Sequence, residues 1–264
     1  MSTLRDTARA LLATGIPAMD VQVLSHRGSV PREAGTHMLV TRDAVLGTIG
    51  GGHLELTAIA QARQWLATGD TAPHDAEFAL GPSLGQCCGG ALTLRTQRLG
   101  DALLAAWPDG APRFFVQLYG AGHVGRAIVA LLAGIDCRVQ WIDERDSEFP
   151  PHPLPPHIER VCVEPVEAEV AQAPAGARYL VLTHSHDLDL RITEAILRRG
   201  DFAYLGLIGS RTKRARFVHR FEERGVPAEA IGRMTCPIGV PGIAGKEPEV
   251  IAVAVVAQLL QQQR

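Results

Sequence analysis

Arg113-Phe114-Phe115-Val116-Gln117-Leu118-Tyr119 runs without a break into Gly120-Ala121-Gly122-His123-Val124-Gly125. The first stretch is aromatic and β-branched and reads as a buried strand. An apolar helical stretch follows from Arg126 to Ala133, and a second strand, Cys137 to Ile142, ends at Asp143. Strand, glycine turn, helix, strand and acid, in that order, are the context of a dinucleotide-binding fold. Gly120 permits the tight turn, Gly122 lets backbone N–H groups approach a phosphate, and Gly125 lets the helix pack close to the strand. The helix N-terminus, opened by His123, offers unpaired N–H groups and a positive dipole end to an anion. Asp143 stands near the offset at which such folds place an acceptor for a ribose hydroxyl. Arg145 reads either as a phosphate contact or as a solvated loop cation. The same turn can also be kept for packing alone.

Outward from this core, Glu159–Val163, Tyr179–Thr183 and Ala203–Ile208 read as further strands. Leu190–Leu197 and the region after Arg211 read as helices. A terminal helix runs from about Glu247 to Gln262, with Pro248 suited to its first turn. Alternating strands and helices predict a doubly wound parallel sheet over residues 113–264. Upstream, Pro108-Asp109-Gly110-Ala111-Pro112 is a breaker cluster and the expected domain boundary. Residues 1–108 read as a smaller α+β domain. It has an opening helix, a strand at Val21–Leu24, a hairpin around Thr41-Arg42-Asp43 and a helix over Leu54–Ala67. The expected fold class is therefore α/β: an N-terminal α+β domain followed by a Rossmann-like doubly wound domain.

In the first domain, Leu84-Gly85-Gln86-Cys87-Cys88-Gly89-Gly90 places adjacent thiols in a glycine-bordered loop. Glycine there lets a large flat ligand reach the main chain; the plainer reading is a tight turn with two inert small side chains. Ser25-His26-Arg27-Gly28-Ser29-Val30-Pro31-Arg32-Glu33-Ala34-Gly35 brings Arg27 and Arg32 into another glycine-bordered loop. Their guanidinium forks suit phosphate or a carbonyl-rich heterocycle, or else are surface charges.

In the second domain, Thr183-His184-Ser185-His186-Asp187-Leu188-Asp189 follows a strand. His184 and His186 have a spacing that can share a metal. The His-x-His-x-Asp-His set of metal-dependent hydrolases fails here, because 188 is leucine and 189 aspartate. The plainer reading is that Asp187 or Asp189 caps the next helix. Gly206-Leu207-Ile208-Gly209-Ser210-Arg211-Thr212-Lys213-Arg214 puts three cations against a helix dipole. That points to a phosphate, to an acidic protein surface, or to a merely solvated turn.

The chain has 264 residues, a formal net charge of −2 and 46% apolar residues, which describes a soluble globular protein. The charge gives no argument for nucleic acid or an anionic membrane as partner. No signal-peptide pattern or membrane-length apolar run is present, so a cytoplasmic location is expected. Five cysteines, an odd count, favour free thiols over a disulfide framework.

Taken together these stretches resemble the xanthine dehydrogenase accessory protein family of the XdhC/CoxI type. The matching pieces are Gly28–Gly35, Gly47–Glu55, Gly85–Gly90, Gly120–Gly125, Thr183–Asp189, Gly206–Lys213 and Cys236–Pro248, in one order over nearly the whole chain. Val30 stands where threonine is common in the family. The resemblance implies a molybdenum cofactor (molybdopterin) chaperone without turnover of its own. Such a protein holds the cofactor while a cysteine desulfurase supplies sulfur and passes it to apo-xanthine dehydrogenase. It also implies a homodimer. On this reading Cys87 and Cys88 face the molybdenum, Arg32 and Gln86 meet the pterin, and the Gly120, Gly122 and Gly125 turn with His123 takes the phosphate. Asp143, Arg145, His184 and His186 line the rest of the site. Thiolates suit high-valent molybdenum and sulfur transfer. The alternative is an NAD(P)-dependent oxidoreductase using the Rossmann site, with NAD(P) as its cofactor. Against it, no acid–base set appears downstream, and Tyr119, Tyr179 and Tyr204 all fall in apparent buried strands.

Overall fold

The computed structural model describes residues 4–80, 89–107 and 112–262. Its contacts divide into two units, residues 2–109 and 110–264.

The N-terminal unit holds helices α1 (Leu4–Ala13), α2 (Gly52–Thr68) and α3 (Asp101–Ala106), and strands β1 (Ala18–Arg27), β2 (His37–Thr41), β3 (Val45–Gly47), β4 (His74–Ala79) and β5 (Ala91–Arg98). The strands form an antiparallel sheet in the order β3-β2-β1-β5-β4. Side chains alternate across such a sheet. One face sends Met19, Val21, Val23, Met38 and Val40 against Leu54, Ala58 and Ala62 of α2. The other sends Ala18 and Leu39 against Ala8, Leu104 and Trp107. Each fully buried large apolar side chain is worth about 1.5–3 kcal/mol over exposure. Asp20 lies on the second face with none of its surface exposed, held by His37 Nδ1 at 2.9 Å, and the Trp107 ring packs against that histidine, tilted by 34°. Burial raises the Asp20 pKa above its ordinary value, although His37 works against that shift. The short helix α3 has too few residues to show a period, and sequence reading passed over it.

The C-terminal unit holds strands β6 (Phe115–Tyr119), β7 (Arg138–Asp143), β8 (Ile158–Cys162), β9 (Arg178–Val181), β10 (Tyr204–Leu207) and β11 (Met234–Thr235). Its helices are α4 (His123–Leu132), α5 (His186–Arg199), α6 (Arg211–Glu223), α7 (Ala228–Gly232) and α8 (Pro248–Gln261). The sheet order is β11-β10-β9-β6-β7-β8, with every pairing parallel. Counted from β6, this is the doubly wound order 3-2-1-4-5-6, whose ligand crevice opens where the order reverses, between β6 and β9. Helices cover both faces. Val116, Leu118 and Trp141 meet Ile128, Leu132 and Leu259 on one side. Tyr119, Val181 and Leu205 meet Ile192, Ile196 and Phe217 on the other. A parallel sheet covered in this way explains the near-continuous apolar strands of the sequence.

Helix α5 begins at His186, before the expected Leu190, and its N-cap is Ser185, whose side chain accepts from Leu188 N. The cap is therefore neither Asp187 nor Asp189. Asp189 is turned inward and buried. Among the described residues, no helix is long and apolar enough to cross a membrane.

Candidate functional site

The crevice of the C-terminal unit is built around the glycine turn. Gly120 has φ +119°, and a Cβ there would stand 2.4 Å from the Leu182 carbonyl oxygen, so the turn lies directly against the end of β9. A Cβ on Gly125 would stand 2.1 Å from the Gly120 oxygen, so α4 rests on the turn itself. Trp141 Nε1 donates to that same oxygen at 3.1 Å. Gly122 differs: a Cβ there would meet nothing within 4 Å. The first and third glycines thus serve packing, while the second leaves open approach to the backbone. His123, the first residue of α4, is exposed beside it.

Asp143 is buried at the end of β7. Its Oδ2 accepts from Ala121 N at 2.7 Å and Arg145 Nη2 at 3.0 Å. Its Oδ1 accepts from Arg145 N at 2.9 Å and Arg145 Nε at 3.0 Å. Burial alone would raise its pKa, but Arg145 and the Ala121 N–H outweigh that and hold it below the ordinary aspartate value. Asp143 therefore braces the glycine turn, and a ribose hydroxyl reaches its oxygens only if Arg145 swings away. Arg145 also lies 3.5 Å from Glu148.

His184 and His186 are both exposed, and they turn to different partners. His184 Nε2 lies 3.7 Å from Glu144 Oε1, and His186 Nδ1 accepts from Arg216 at 3.2 Å. Among the described residues no group of three His, Cys, Asp or Glu side chains is placed to hold a metal. Tyr119, Asp143, Thr183 and His184 border a cavity of about 10 Å³, the space of one water and too small for a ligand.

Sequence reading missed a buried ion pair at this edge. Lys213 Nζ lies 2.5 Å from Asp189 Oδ2 and donates to the Ile208 carbonyl at 2.8 Å. Asp189 Oδ1 accepts from the Thr183 N–H at 2.9 Å and its hydroxyl at 2.8 Å. The pair thereby ties the loops after β9 and β10 together. One of the three cations expected to oppose the α6 dipole is thus neutralised inside the protein. The available signal was an aspartate at an otherwise apolar helical position. Cys236 sits nearby, with its Sγ 3.9 Å from the Ser210 oxygen, and burial pushes its thiol pKa up.

The N-terminal unit gathers its loops at one end of its sheet. Strand pairing sets Arg27 beside Ala91. Leu80 N donates to Gly90 O at 2.8 Å, closing the base of the segment that carries Gln86, Cys87 and Cys88. Those three residues lie outside the described residues. A Cβ on Gly90 would stand 2.3 Å from Ser29 O, and one on Gly50 would stand 2.3 Å from Pro31 Cβ. Stretches far apart in the chain therefore meet: Gly28-Ser29 lies against the Gly89-Gly90 backbone, and the Pro31 ring lies against Gly50. Glu55 locks this arrangement. Its Oε2 accepts from Ile49 N at 3.0 Å, Gly51 N at 3.1 Å and the Thr48 hydroxyl. Burial opposes ionisation, but the bonds from Thr48, Gly51, Ile49 and Gly50 outweigh it and keep the Glu55 pKa low. Arg27 at the end of β1 and Arg32 on the following loop are exposed, and His26 pairs with Glu33 at 2.8 Å.

Comparison with known proteins adds three findings. Residues 116–259 match the XdhC Rossmann domain, and residues 3–75 match the XdhC and CoxI family. A protein of Escherichia coli K12 described as "Uncharacterized protein YqeB" is 32% identical over 255 residues; the match takes in 93% of this chain but 43% of that protein's length. A crystal structure described as a xanthine dehydrogenase from Bacillus halodurans superposes with a TM-score of 0.79 at 18% identity, over 98% of this chain and 95% of that one. That last likeness establishes the shared fold.

Proposed function

The chain belongs to the XdhC and CoxI family, and from that premise we propose that it serves the maturation of a xanthine dehydrogenase as a carrier of molybdenum cofactor. The cofactor is cargo, not a resident group. It brings a dithiolene-bound molybdenum, a flat pterin and a phosphate. The carrier holds it while a cysteine desulfurase supplies sulfur, then releases it to the apo-enzyme.

One observation supports this reading above the others. The loops that carry the family pattern in the N-terminal unit close upon one another at Gly28, Ser29, Pro31, Gly50 and Gly90. They frame the base of the segment that bears the two adjacent thiols. A turn of inert side chains has no need of a frame assembled from three distant stretches. Cys87 and Cys88 supply soft ligands for the metal. Arg32 and Gln86 suit the carbonyl and amide edge of the pterin. In the other unit, the open approach at Gly122 and the helix N-terminus at His123 suit a phosphate. The oxidoreductase alternative is weakened, because the acid it needs for a ribose is already satisfied by Ala121 and Arg145.

The test is direct. Purified protein is mixed anaerobically with molybdenum cofactor released from a molybdoenzyme, separated by size, and assayed for pterin and molybdenum. Stoichiometric co-elution is the expected result, with the protein travelling as a homodimer. Absence of both, together with tight NAD(H) binding, would replace this reading with the oxidoreductase one.

A further inference from the structure

Helix α8 has the composition of a buried helix: Glu249 is the one charged residue among its fourteen. Helix α5, of equal length on the other face of the sheet, carries six. A helix that is apolar all round is ordinarily covered on every side. Yet α8 packs against α4 and the sheet on one side and leaves the other open. Val253 is 50% exposed and Leu260 38%. At 3.6 residues per turn, Glu249, Val253, Ala257 and Leu260 fall within one sector of about 80°. Leu131, 39% exposed, extends this surface onto α4.

Among the described residues of the C-terminal unit, the exposed large apolar side chains are Leu131, Ile243, Val253 and Leu260. The first, third and fourth lie on α4 and α8, and Ile243 lies on the loop that leads into α8. Helices α5 and α6, on the other face, contribute none. Apolar exposure concentrated on one face marks a contact surface for protein. Between α4 and α8 runs an open trough of about 430 Å³, lined by Ala127, Ala130, Ala252, Leu131 and Val253.

Three features point to a second copy of the chain as the occupant. The face carries both protruding aliphatic side chains and an alanine-lined trough that can receive them. A two-fold contact needs projection and recess on one and the same patch. The fixed charges bordering the trough are one of each sign, Arg126 and Glu249, so the face does not repel its own copy. Glu249 meets no cation among the described residues, which leaves it free to pair across the contact. The centre of the face is aliphatic, which is the character of permanent assemblies, whereas passing contacts are more polar. An apolar face that is always present calls for a partner that is always present, and a second copy meets that need with no other component.

We propose that the exposed face of α4 and α8 is the surface through which two copies of this chain form a homodimer. The inference goes beyond the cargo reading: it assigns residues to the dimer contact, and it holds whether or not the cofactor binds.

The experiment is sedimentation velocity of the full chain from nanomolar to high micromolar concentration. A reductant is present because Cys162 is exposed and could link copies by a disulfide. The expected result is a reversible dimer in the wild type. Val253→Glu should weaken it roughly a hundredfold or more, because each dimer would bury two carboxylates among aliphatic side chains. Circular dichroism should be unchanged, since the substituted side chain faces solvent in the single chain. Should that variant fail to fold, Leu131→Glu and Leu260→Glu each test the same face. Leu56→Glu is the control, because Leu56 is 67% exposed in the other unit, and it should leave the dimer intact. A wild type that stays monomeric throughout would overturn the proposal and leave the face to a different occupant. So would a dimer that survives all three substitutions, or one that Leu56→Glu dissolves equally. Cofactor co-elution is measured on the same proteins. A dimer that takes up no cofactor sinks the cargo reading alone, and a monomer that takes it up sinks this one alone.

Discussion

Replacing Gly125 by alanine should destabilise the C-terminal unit, although alanine is the better helix former. The added Cβ would sit 2.1 Å from the Gly120 carbonyl oxygen and 3.1 Å from its carbon. Carbon and oxygen normally approach no closer than about 3.3 Å, so helix and turn must separate by about 1 Å. The Gly120 oxygen cannot retreat freely, because it accepts from the buried Trp141 indole and its residue lies against Leu182. Overpacking of this kind costs about 1–3 kcal/mol. Stranding the indole N–H costs about 1–3 kcal/mol more. The helix propensity of alanine returns about 1 kcal/mol. The net loss expected is about 1–5 kcal/mol, a fall of roughly 2–20 °C in melting temperature for a unit of this size. Urea unfolding followed by circular dichroism and by tryptophan fluorescence measures it. Gly122→Ala is the control, since its Cβ meets nothing within 4 Å. A Gly125→Ala protein as stable as the wild type, or more so, would refute the packing argument.

The bulkier change Gly122→Val should leave the fold intact and abolish retention of a phosphate-bearing cofactor; co-elution unchanged from wild type would make the turn purely structural. Lys213→Met leaves Asp189 buried without its cation and should cost about 3–5 kcal/mol. Adding Asp189→Leu should recover much of that loss, and a double-mutant cycle in urea reads the coupling. Glu55 and Asp143 both have lowered pKa values in the folded protein. Their stabilising contribution is full above the unfolded carboxylate values, about 4, and is lost as pH falls through the lower folded values. Acid titration of Glu55→Gln should therefore show a shallower loss of stability than wild type below about pH 4. Cys87→Ala and Cys88→Ala, singly or together, should fold normally and lose molybdenum while retaining some pterin. Full metal retention by the double variant would remove the thiols from the site.

The doubly wound fold was legible because its signals are local. An apolar strand, three glycines at fixed spacing and an acid at the next strand's end each reflect the backbone's own needs, and Gly120 and Gly125 stand where those needs predict. The family pattern was legible for the same reason, as strings of glycine and charge that survive without knowledge of what they touch. Partnership was not legible. Asp143 looked available to a ribose, yet its oxygens bind Ala121 and Arg145. Lys213 looked like a surface cation, yet it is buried on Asp189. His184 and His186 looked like a pair, yet they turn to Glu144 and Arg216. Sequence order ranks neighbours by separation along the chain, whereas hydrogen bonds and ion pairs depend on distances between side chains that only packing brings together. Which charges are spent inside the protein was therefore decided by the tertiary structure alone.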